Sequence, residues 1–275
     1  MASLKQLKDK QASVKSIHKI TKAMELVATA KSRNATKDLS EYKTYYQKVQ
    51  EIVATLTNAQ DYKVKEDFKG TLFVVYSSDL GLAGGYNSNI MKLLVSKFDP
   101  KTDQLLVMGG KATASVKSRY PGFEFKSLTA EDAKRPDILD EITIDILEAH
   151  YDKELKVEVL YTKYQSQIDF VASEYQLLPI EKVEMEDEYL GEVEFEPNAA
   201  TVLKEMMDIY IPSVLIGLYK ESTASEHTSR RVAMENATSN GDDLLSELQV
   251  QFNKQRQAKI TQELSEISAG SEALK

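Results

Sequence analysis

Apolar residues near the start of the chain recur with the spacing of a helix over an unusually long stretch. Residues 1–58 contain neither Gly nor Pro. A helix over most of them would be roughly 80 Å long at ~1.5 Å per residue. Its apolar positions form a narrow stripe, Leu7, Val14 and Met24, flanked by Ile17, Ile20 and Val27. So long a helix with so narrow a stripe needs a partner helix.

The end of the chain supplies a matching pattern. The stretch Ser213–Lys275 contains no Pro, and its apolar residues recur at helical spacing with one register slip: Leu245, Leu248, Phe252, Ile260, Leu264 and Ile267. Because the intervening chain must lead out and back, we expect the first and last segments to pair as an antiparallel coiled coil.

The pattern between the two helical segments is different, because most of the glycines and prolines lie there. Two short apolar runs, Thr71–Tyr76 and Gln104–Met108, predict buried strands. Each is followed by a Gly-containing turn and a helical stretch, near Ser88–Lys97 and Lys111–Arg119. Alternation of strand and helix is typical of a parallel, Rossmann-like sheet covered by helices.

Four further segments complete this region. A helix is predicted at Ile138–His150, and two strands that form a hairpin are predicted at Lys156–Tyr164 and Asp169–Leu178. The acidic run Glu181–Glu196 predicts a solvated loop or edge. The expected fold class is therefore α/β, with a long antiparallel coiled coil of terminal helices and a central Rossmann-like domain. The expected divisions are residues 1–58, 68–197 and 198–275.

Charge is distributed unevenly along the chain, whose formal net charge is −8. When the chain is divided after residues 58 and 197, the three segments have formal net charges of +6, −11 and −3. A basic first segment is compatible with nucleic acid or another polyanion, but its cations surround a helix and few aromatic residues accompany them. An acidic protein partner is equally consistent with this charge.

Composition excludes several other classes of protein. The chain has no Cys, which excludes disulfides, thiolate metal sites and a cysteine nucleophile, and fits a reducing compartment. No apolar run approaches the ~20 residues needed to cross a bilayer, and the N-terminus lacks the apolar core of a secretory signal. We therefore expect association with a membrane only through partners.

A glycine-rich stretch, Ser77–Asn87, is the segment most typical of an enzyme. It follows a strand and precedes a helix, where phosphate can meet backbone N–H groups. It lacks the Lys-Ser/Thr pair of a P-loop and the spacing of a dinucleotide fingerprint, so we interpret it as a structural turn. The shorter Gly109–Lys111 stretch is interpreted in the same way.

No other group of residues predicts catalysis. The histidines, His18, His150 and His227, are scattered, and none has a second ligand at metal spacing. The carboxylates of the middle segment lie in runs typical of a solvated face. We expect no catalytic residue, no cofactor and no metal.

Three blocks of sequence resemble the gamma subunit of F-type ATP synthases. They are Ile17–Lys31, Ser78–Asn89 and the interrupted run Ser225–Ile267, which contains Ala233–Thr238 and ends with Arg256–Ile267. The blocks lie at both ends and in the middle, so the resemblance covers the whole chain. One departure is Ser271 after Gly270, where the family usually has Ala, and Ser is small enough for the same packing.

The resemblance implies a rotor without catalytic activity. In that family the coiled coil is inserted through a hexamer of three alpha and three beta subunits, which holds the nucleotide sites. The α/β domain lies beside epsilon and the membrane-embedded c-ring. The implied location is the cytoplasmic face of the bacterial cell membrane, as a peripheral protein.

The resemblance also implies which residues contact these partners. Contacts with the catalytic subunits fall on Met24, Arg256, Gln257, Thr261 and Glu263, and possible cations facing the stator are Lys19, Lys22, Lys31 and Arg33. The segment touching the c-ring corresponds to Phe195, Glu196 and Pro197. The resemblance and the apolar stripes together predict that Met24 lies level with the Arg256–Ile260 turns.

Two other functions are compatible with the residues taken without the resemblance. One is a coiled-coil adaptor whose basic helix binds nucleic acid or an anionic surface. The other is a nucleotide-dependent α/β enzyme that uses the Asp79–Asn87 loop. Co-purification distinguishes them, since each function predicts a different bound partner.

Overall fold

The computed structural model of the chain describes residues 3–59, 67–167, 169–181 and 195–273. The chain forms two compact units, unit 1 from Met1–Ala28 and Arg231–Lys275 and unit 2 from Thr29–Arg230. The division into 1–58, 68–197 and 198–275 stays a prediction. The helices are α1 (Leu4–Ala59), α2 (Tyr86–Lys97), α3 (Gly110–Arg119), a 3₁₀ turn (Asp132–Lys134), α4 (Pro136–Tyr151) and α5 (Ala199–Ala273); the strands are β1 (Gly70–Tyr76), β2 (Gln104–Met108), β3 (Lys126–Leu128), β4 (Leu155–Tyr164) and β5 (Phe170–Leu178).

The two terminal helices are long, as predicted, with 56 residues in α1 and 75 in α5. Helix α5 begins before Pro212, a residue that usually ends a helix because it has no N–H and clashes with the preceding turn. Its neighbours Ile211, Val214 and Leu215 are fully buried. Packing of this apolar face therefore outweighs the hydrogen bond lost at the proline.

Within unit 1, α1 and α5 pair in antiparallel orientation, which confirms that part of the prediction. Thr21 Oγ1 lies 3.3 Å from Thr238 Oγ1, and His18 Nε2 lies 2.9 Å from Asp242 Oδ1. Further along, the Gln11 side chain donates to Gln249 Oε1 at 3.3 Å. Residue numbers thus fall on one helix as they rise on the other.

The predicted register of this pair is wrong. Met24 lies three residues beyond Thr21, on the side away from Gln11, so it is level with residues that precede Thr238 on α5. The Arg256–Ile260 turns lie past Gln249, towards the start of α1. The apolar positions of both helices follow helical spacing, and the pattern of α5 contains a register slip, so the sequence alone does not fix one alignment.

Unit 2 contains a five-stranded sheet in the order β3-β2-β1-β4-β5. Strands β1 to β4 run parallel, and β5 pairs antiparallel with β4, which confirms the predicted hairpin. The order 3-2-1-4 of the parallel strands is that of a Rossmann-like fold, as predicted. The three-residue edge strand β3 was not predicted.

Both faces of this sheet are buried, as the continuous apolar runs predicted. On one face, Val74 of β1 packs with Ile142 of α4, Val53 of α1 and Ile211 of α5. On the other face, alternate strand residues such as Val75 pack with residues of α2 and α3. The sheet therefore binds the terminal helices through one face only. Of the predicted acidic run, residues 182–194 lie outside the described residues.

Candidate functional site

The crevice in which a Rossmann-like sheet binds its ligand is filled by the chain's own helix α5. In such folds the ligand lies at the carboxyl ends of the strands where the strand order reverses, here between β1 and β4. At the end of β4, the Ser225 hydroxyl donates to Thr162 O at 3.0 Å. Glu221 Oε1 accepts the N–H of Tyr164 at 3.1 Å. The end of β4 is thus bound by α5 rather than open to a ligand.

The glycine-rich loop after β1, defined here as Ser77–Tyr86 and called the glycine loop, forms a structural turn. Helix α3 would offer its first N–H groups to a phosphate, but the glycine loop accepts all three. Asp79 Oδ1 accepts from Gly110 at 2.8 Å, Ser78 O from Lys111 at 3.0 Å and Ser77 Oγ from Ala112 at 3.1 Å. These donors are therefore already satisfied within the chain.

Close packing between the β2–α3 turn and the glycine loop requires glycine at position 109. Gly109 has a φ of +114°, and a Cβ there would lie 2.3 Å from Ser77 O. Any side chain at this position would push the two turns apart. This glycine therefore serves backbone packing, which agrees with the structural interpretation.

The three histidines have separate local partners. His18 lies beside Asp242 in unit 1, and in unit 2 His150 Nδ1 lies 2.9 Å from Leu155 O. Burial lowers the pKa of His227 to about 4, so its ring is neutral at pH 7. Across the described ranges, no cluster of three or more His, Asp or Glu residues has an arrangement that could hold a metal ion.

On the unit 1 part of α1, the predicted contact residues lie at or near the surface. Met24 is half-buried, and Lys19 and Lys22 are exposed. The Lys22 ammonium pairs with Glu25 at 2.9 Å on the same helix. The register separates Met24 from Arg256 along the coiled coil, so these two residues do not form one site.

Large apolar side chains are also exposed on this part of α1. The residues that flank the predicted stripe, Ile17, Ile20 and Val27, lie on the surface with about three-fifths of each side chain exposed. Leu26, which was not part of that prediction, is exposed to the same degree. Ile17, Ile20 and Val27 recur at helical spacing on one side of α1, and a stripe of exposed apolar residues is typical of a surface that binds another protein.

The C-terminal part of α5 presents a second exposed surface. The four predicted contact residues Arg256, Gln257, Thr261 and Glu263 are all exposed. Their described contacts stay within the helix, where Thr261 donates to Gln257 O at 3.0 Å and Lys259 lies 3.7 Å from Glu263. Three apolar side chains on the same turns are also exposed: Ile260, Leu264 and Ile267.

The remaining predicted residues belong to unit 2. Lys31 and Arg33 are exposed on α1. Phe195 is partly buried and packs against the core, whereas Glu196 and Pro197 are exposed. Phe195 therefore has a packing role within the chain, and the exposed surface of this segment consists of its two neighbours.

The sequence did not predict a group of buried polar residues on α5 that contacts the glycine loop. Its members are Ser222, Ser229 and Arg230, and Glu226, which is partly buried, pairs with Arg230 on the same face of the helix. Ser and Thr are poor helix formers, and five of them lie between Ser222 and Ser229. Their density in a long helix is the signal that could have predicted a polar contact surface.

No helix among residues 3–59, 67–167, 169–181 and 195–273 is both long enough and apolar enough to span a bilayer.

Comparison with known proteins gives a consistent result along the whole chain. The sequence matches the ATP synthase family over residues 3–274. It is 36% identical to the ATP synthase gamma chain of Mesoplasma florum over 280 residues, covering 100% of this chain and 99% of the relative. It is 38% identical to that of Mycoplasmopsis pulmonis over 280 residues, covering 98% and 99%.

A solved structure shares the fold. The Euglena gracilis mitochondrial ATP synthase structure of OSCP, F1 and c-ring contains a chain that matches with a TM-score of 0.71 at 20% identity. The match covers 98% of this chain and 94% of that one. The sequence matches and the shared fold lead to one conclusion, which is that this chain belongs to the ATP synthase gamma-chain family.

Proposed function

We propose that this chain is the non-catalytic central-stalk rotor subunit of the F1 sector of a proton-translocating ATP synthase. It couples proton flow through the membrane sector to conformational cycling of the catalytic alpha and beta subunits. The observation that supports this most strongly is the apolar surface of unit 1, on a chain that belongs to the gamma family over its full length.

The exposed residues of unit 1 suit a helix pair enclosed by other subunits. Ile20 and Leu26 on α1, and Leu264 and Ile267 on α5, each expose more than half of the side chain. A partner that covers these residues would gain about 25 cal/mol of binding free energy for each Å² of apolar surface removed from water. A ring of alpha and beta subunits around unit 1 would cover both surfaces at once.

Coupling follows from the symmetry of such an assembly. A closed ring of three equivalent catalytic sites cannot by itself determine which site is open, loose or tight. An asymmetric shaft contacts each site differently and biases its conformation, so rotation of the shaft exchanges the three states. The coupling is reciprocal, so proton flow can release ATP and ATP hydrolysis can drive the rotor backwards.

The geometry of unit 2 supports a role without catalysis. Helix α5 fills the ligand crevice of the sheet, and the glycine loop accepts the first N–H groups of α3. A phosphate would therefore have to displace bonds already made within the chain. The proposed partners are three alpha and three beta subunits, epsilon and the c-ring, at the cytoplasmic face of the bacterial membrane.

Co-purification and calorimetry test this function. We expect the tagged chain to co-purify with alpha, beta and epsilon subunits in an ATP-hydrolysing complex, and the isolated chain to bind no ATP by calorimetry. Nucleic acid in place of these subunits would support an adaptor. Stoichiometric, magnesium-dependent binding of ATP to the isolated chain would support an enzyme.

A further inference from the structure

Helix α5 binds the glycine loop through three backbone carbonyl groups. The Arg230 guanidinium donates from Nη2 to Leu80 O at 3.1 Å and from Nε to Gly81 O at 3.2 Å. One residue earlier on the helix, the Ser229 hydroxyl donates to Ala83 O at 2.6 Å. The loop thus presents acceptors to α5 over most of its length.

The third nitrogen of the Arg230 guanidinium, Nη1, is held by α5 itself. Nη1 donates to Glu226 Oε1 at 2.6 Å and lies 3.3 Å from His227 Nδ1. The Arg230 and Glu226 side chains are only 10% and 14% exposed. Because the His227 ring is neutral, its Nδ1 can accept rather than repel the guanidinium. The planar group is therefore fixed in orientation on the helix before it meets the loop.

The same loop is bound on its other side to the sheet. The two oxygens of Asp79 accept the N–H groups of Gly110 at 2.8 Å and Ala130 at 3.1 Å. Those residues follow β2 and β3, so one side chain joins the loop to the ends of two strands. The loop consequently has fixed attachments to both the sheet and α5.

Directional bonds also join α5 to the end of β4, through Ser225 and Glu221, whereas Arg230 joins α5 to the loop that follows β1. Apolar side chains such as Val214 and Leu218 pack against the sheet in the shared core. Burial of apolar surface is non-directional, so it does not by itself select one angle between helix and sheet. A buried fork of donors on two successive carbonyl groups holds a single angle between the partners.

We propose that Arg230 is a positioning residue that fastens the glycine loop to α5, so that the sheet of unit 2 turns with the helix without slipping. This proposal rests on the proposed rotor function. It adds that the Rossmann-like crevice, which α5 fills, is the joint at which torque passes between sheet and helix.

The test uses the complete complex in vesicles and measures proton pumping per ATP hydrolysed. Arg230→Ala is expected to lower this ratio by about fivefold or more. Each hydrogen bond from a buried charged donor favours the state in which the glycine loop is attached to α5 by roughly tenfold over the detached state. Arg230→Lys keeps the charge but cannot reach two carbonyl groups, so its ratio should fall less. Arg231→Ala is the matched control, because Arg231 pairs with Glu235 at 3.0 Å and should leave the ratio unchanged.

A disulfide provides a rescue that separates fastening from folding. The Ser229 hydroxyl lies 2.6 Å from the Ala83 carbonyl oxygen, so these residues adjoin. Ala83→Cys with Ser229→Cys in the Arg230→Ala chain, which has no other Cys, introduces one pair that can be oxidised. Oxidation should restore the ratio and reduction should abolish it again.

An unchanged ratio in an assembled Arg230→Ala complex would overturn the proposal. If that variant does not assemble, full coupling in Arg230→Lys would overturn it equally. The wild-type complex is measured in parallel, and if it does not pump, the rotor function itself fails. Normal wild-type pumping with an uncoupled Arg230→Ala variant supports both proposals.

Discussion

Titratable residues on α5 contribute to the way in which the stability of unit 2 responds to pH. Burial, and then the charges of Arg230 and Lys31, lower the pKa of His227 from 6.5 to about 4. Between these values the unfolded chain binds a proton that the folded chain excludes. The contribution of His227 to the free energy of unfolding therefore decreases as the pH falls through this window.

His227→Gln removes this titration and keeps an acceptor for Arg230. We expect the variant to lose less stability than the wild type between pH 6.5 and pH 4, by at most the effect of one proton. Urea unfolding at a series of pH values measures the difference. Burial raises the pKa values of Glu226 and Glu221, so these residues act in the opposite direction, but they are common to both proteins. Parallel curves would contradict this account of His227.

The exposed residues near the end of α5 carry a different prediction. Arg256→Ala combined with Gln257→Ala should cost little helix stability, because both side chains are exposed and Ala is the best helix former. In the complex, loss of the fork of donors and the neighbouring amide should remove ~1–4 kcal/mol of contact with a catalytic subunit. ATP synthesis and proton pumping in vesicles should therefore fall, with assembly intact by gel filtration.

A double variant to Lys and Asn is the matched control. It retains the charge and the amide but loses the planar fork and some reach, so a partial defect is expected. Normal synthesis and pumping in the assembled double-Ala complex would show that Arg256 and Gln257 are solvated rather than in contact.

At the scale of elements, the register of α1 and α5 in unit 1 can be measured by cross-linking. The chain has no native Cys, so each pair of introduced cysteines reports on itself alone. Thr21→Cys with Thr238→Cys should form a disulfide, because the two hydroxyl oxygens are 3.3 Å apart. Met24→Cys with Arg256→Cys is the matched control and should not. The reverse result would restore the register predicted from the sequence.

Most elements could be predicted from local patterns, and the failures have physical causes. Alternation of apolar runs and glycine turns predicted β1, β2, α2 and α3 almost to their ends. The edge strand β3 has only three residues, too few for any periodicity to appear. Helix α5 continues through Pro212 because tertiary packing, which local sequence does not contain, outweighs the local preference.

The candidate surfaces were predicted unevenly for a related reason. Exposed contact residues were predicted through resemblance, and they stay predictions because only partners can test them. The attachment of Arg230 to Gly81 joins residues 149 positions apart, so no local pattern contains it. The register depends on which apolar residues of α1 and α5 meet, and the pattern within each helix leaves several alignments open.

At the scale of the whole molecule, apolar burial is concentrated in unit 2. In unit 1, the buried apolar residues among those described are few: Leu7, Ala28, Met234 and Leu248. Local opening is favoured where few apolar contacts are buried. We expect amides of residues 4–28 and 231–273 in the isolated chain to exchange hydrogen much faster than those of β1 and β4. Assembly with alpha and beta subunits should slow that exchange, and equal protection of both units in the isolated chain would contradict this view.

Rotation of this chain inside the assembled complex can be observed with a probe on unit 2. A single introduced cysteine at Ile144, whose side chain is 65% exposed on α4, can carry a visible probe because the chain has no other Cys. With the catalytic subunits fixed to a surface and ATP supplied, the account predicts stepwise rotation in one direction with three resting positions in each turn. A fully assembled complex that hydrolyses ATP while the probe on this chain stays still would contradict it.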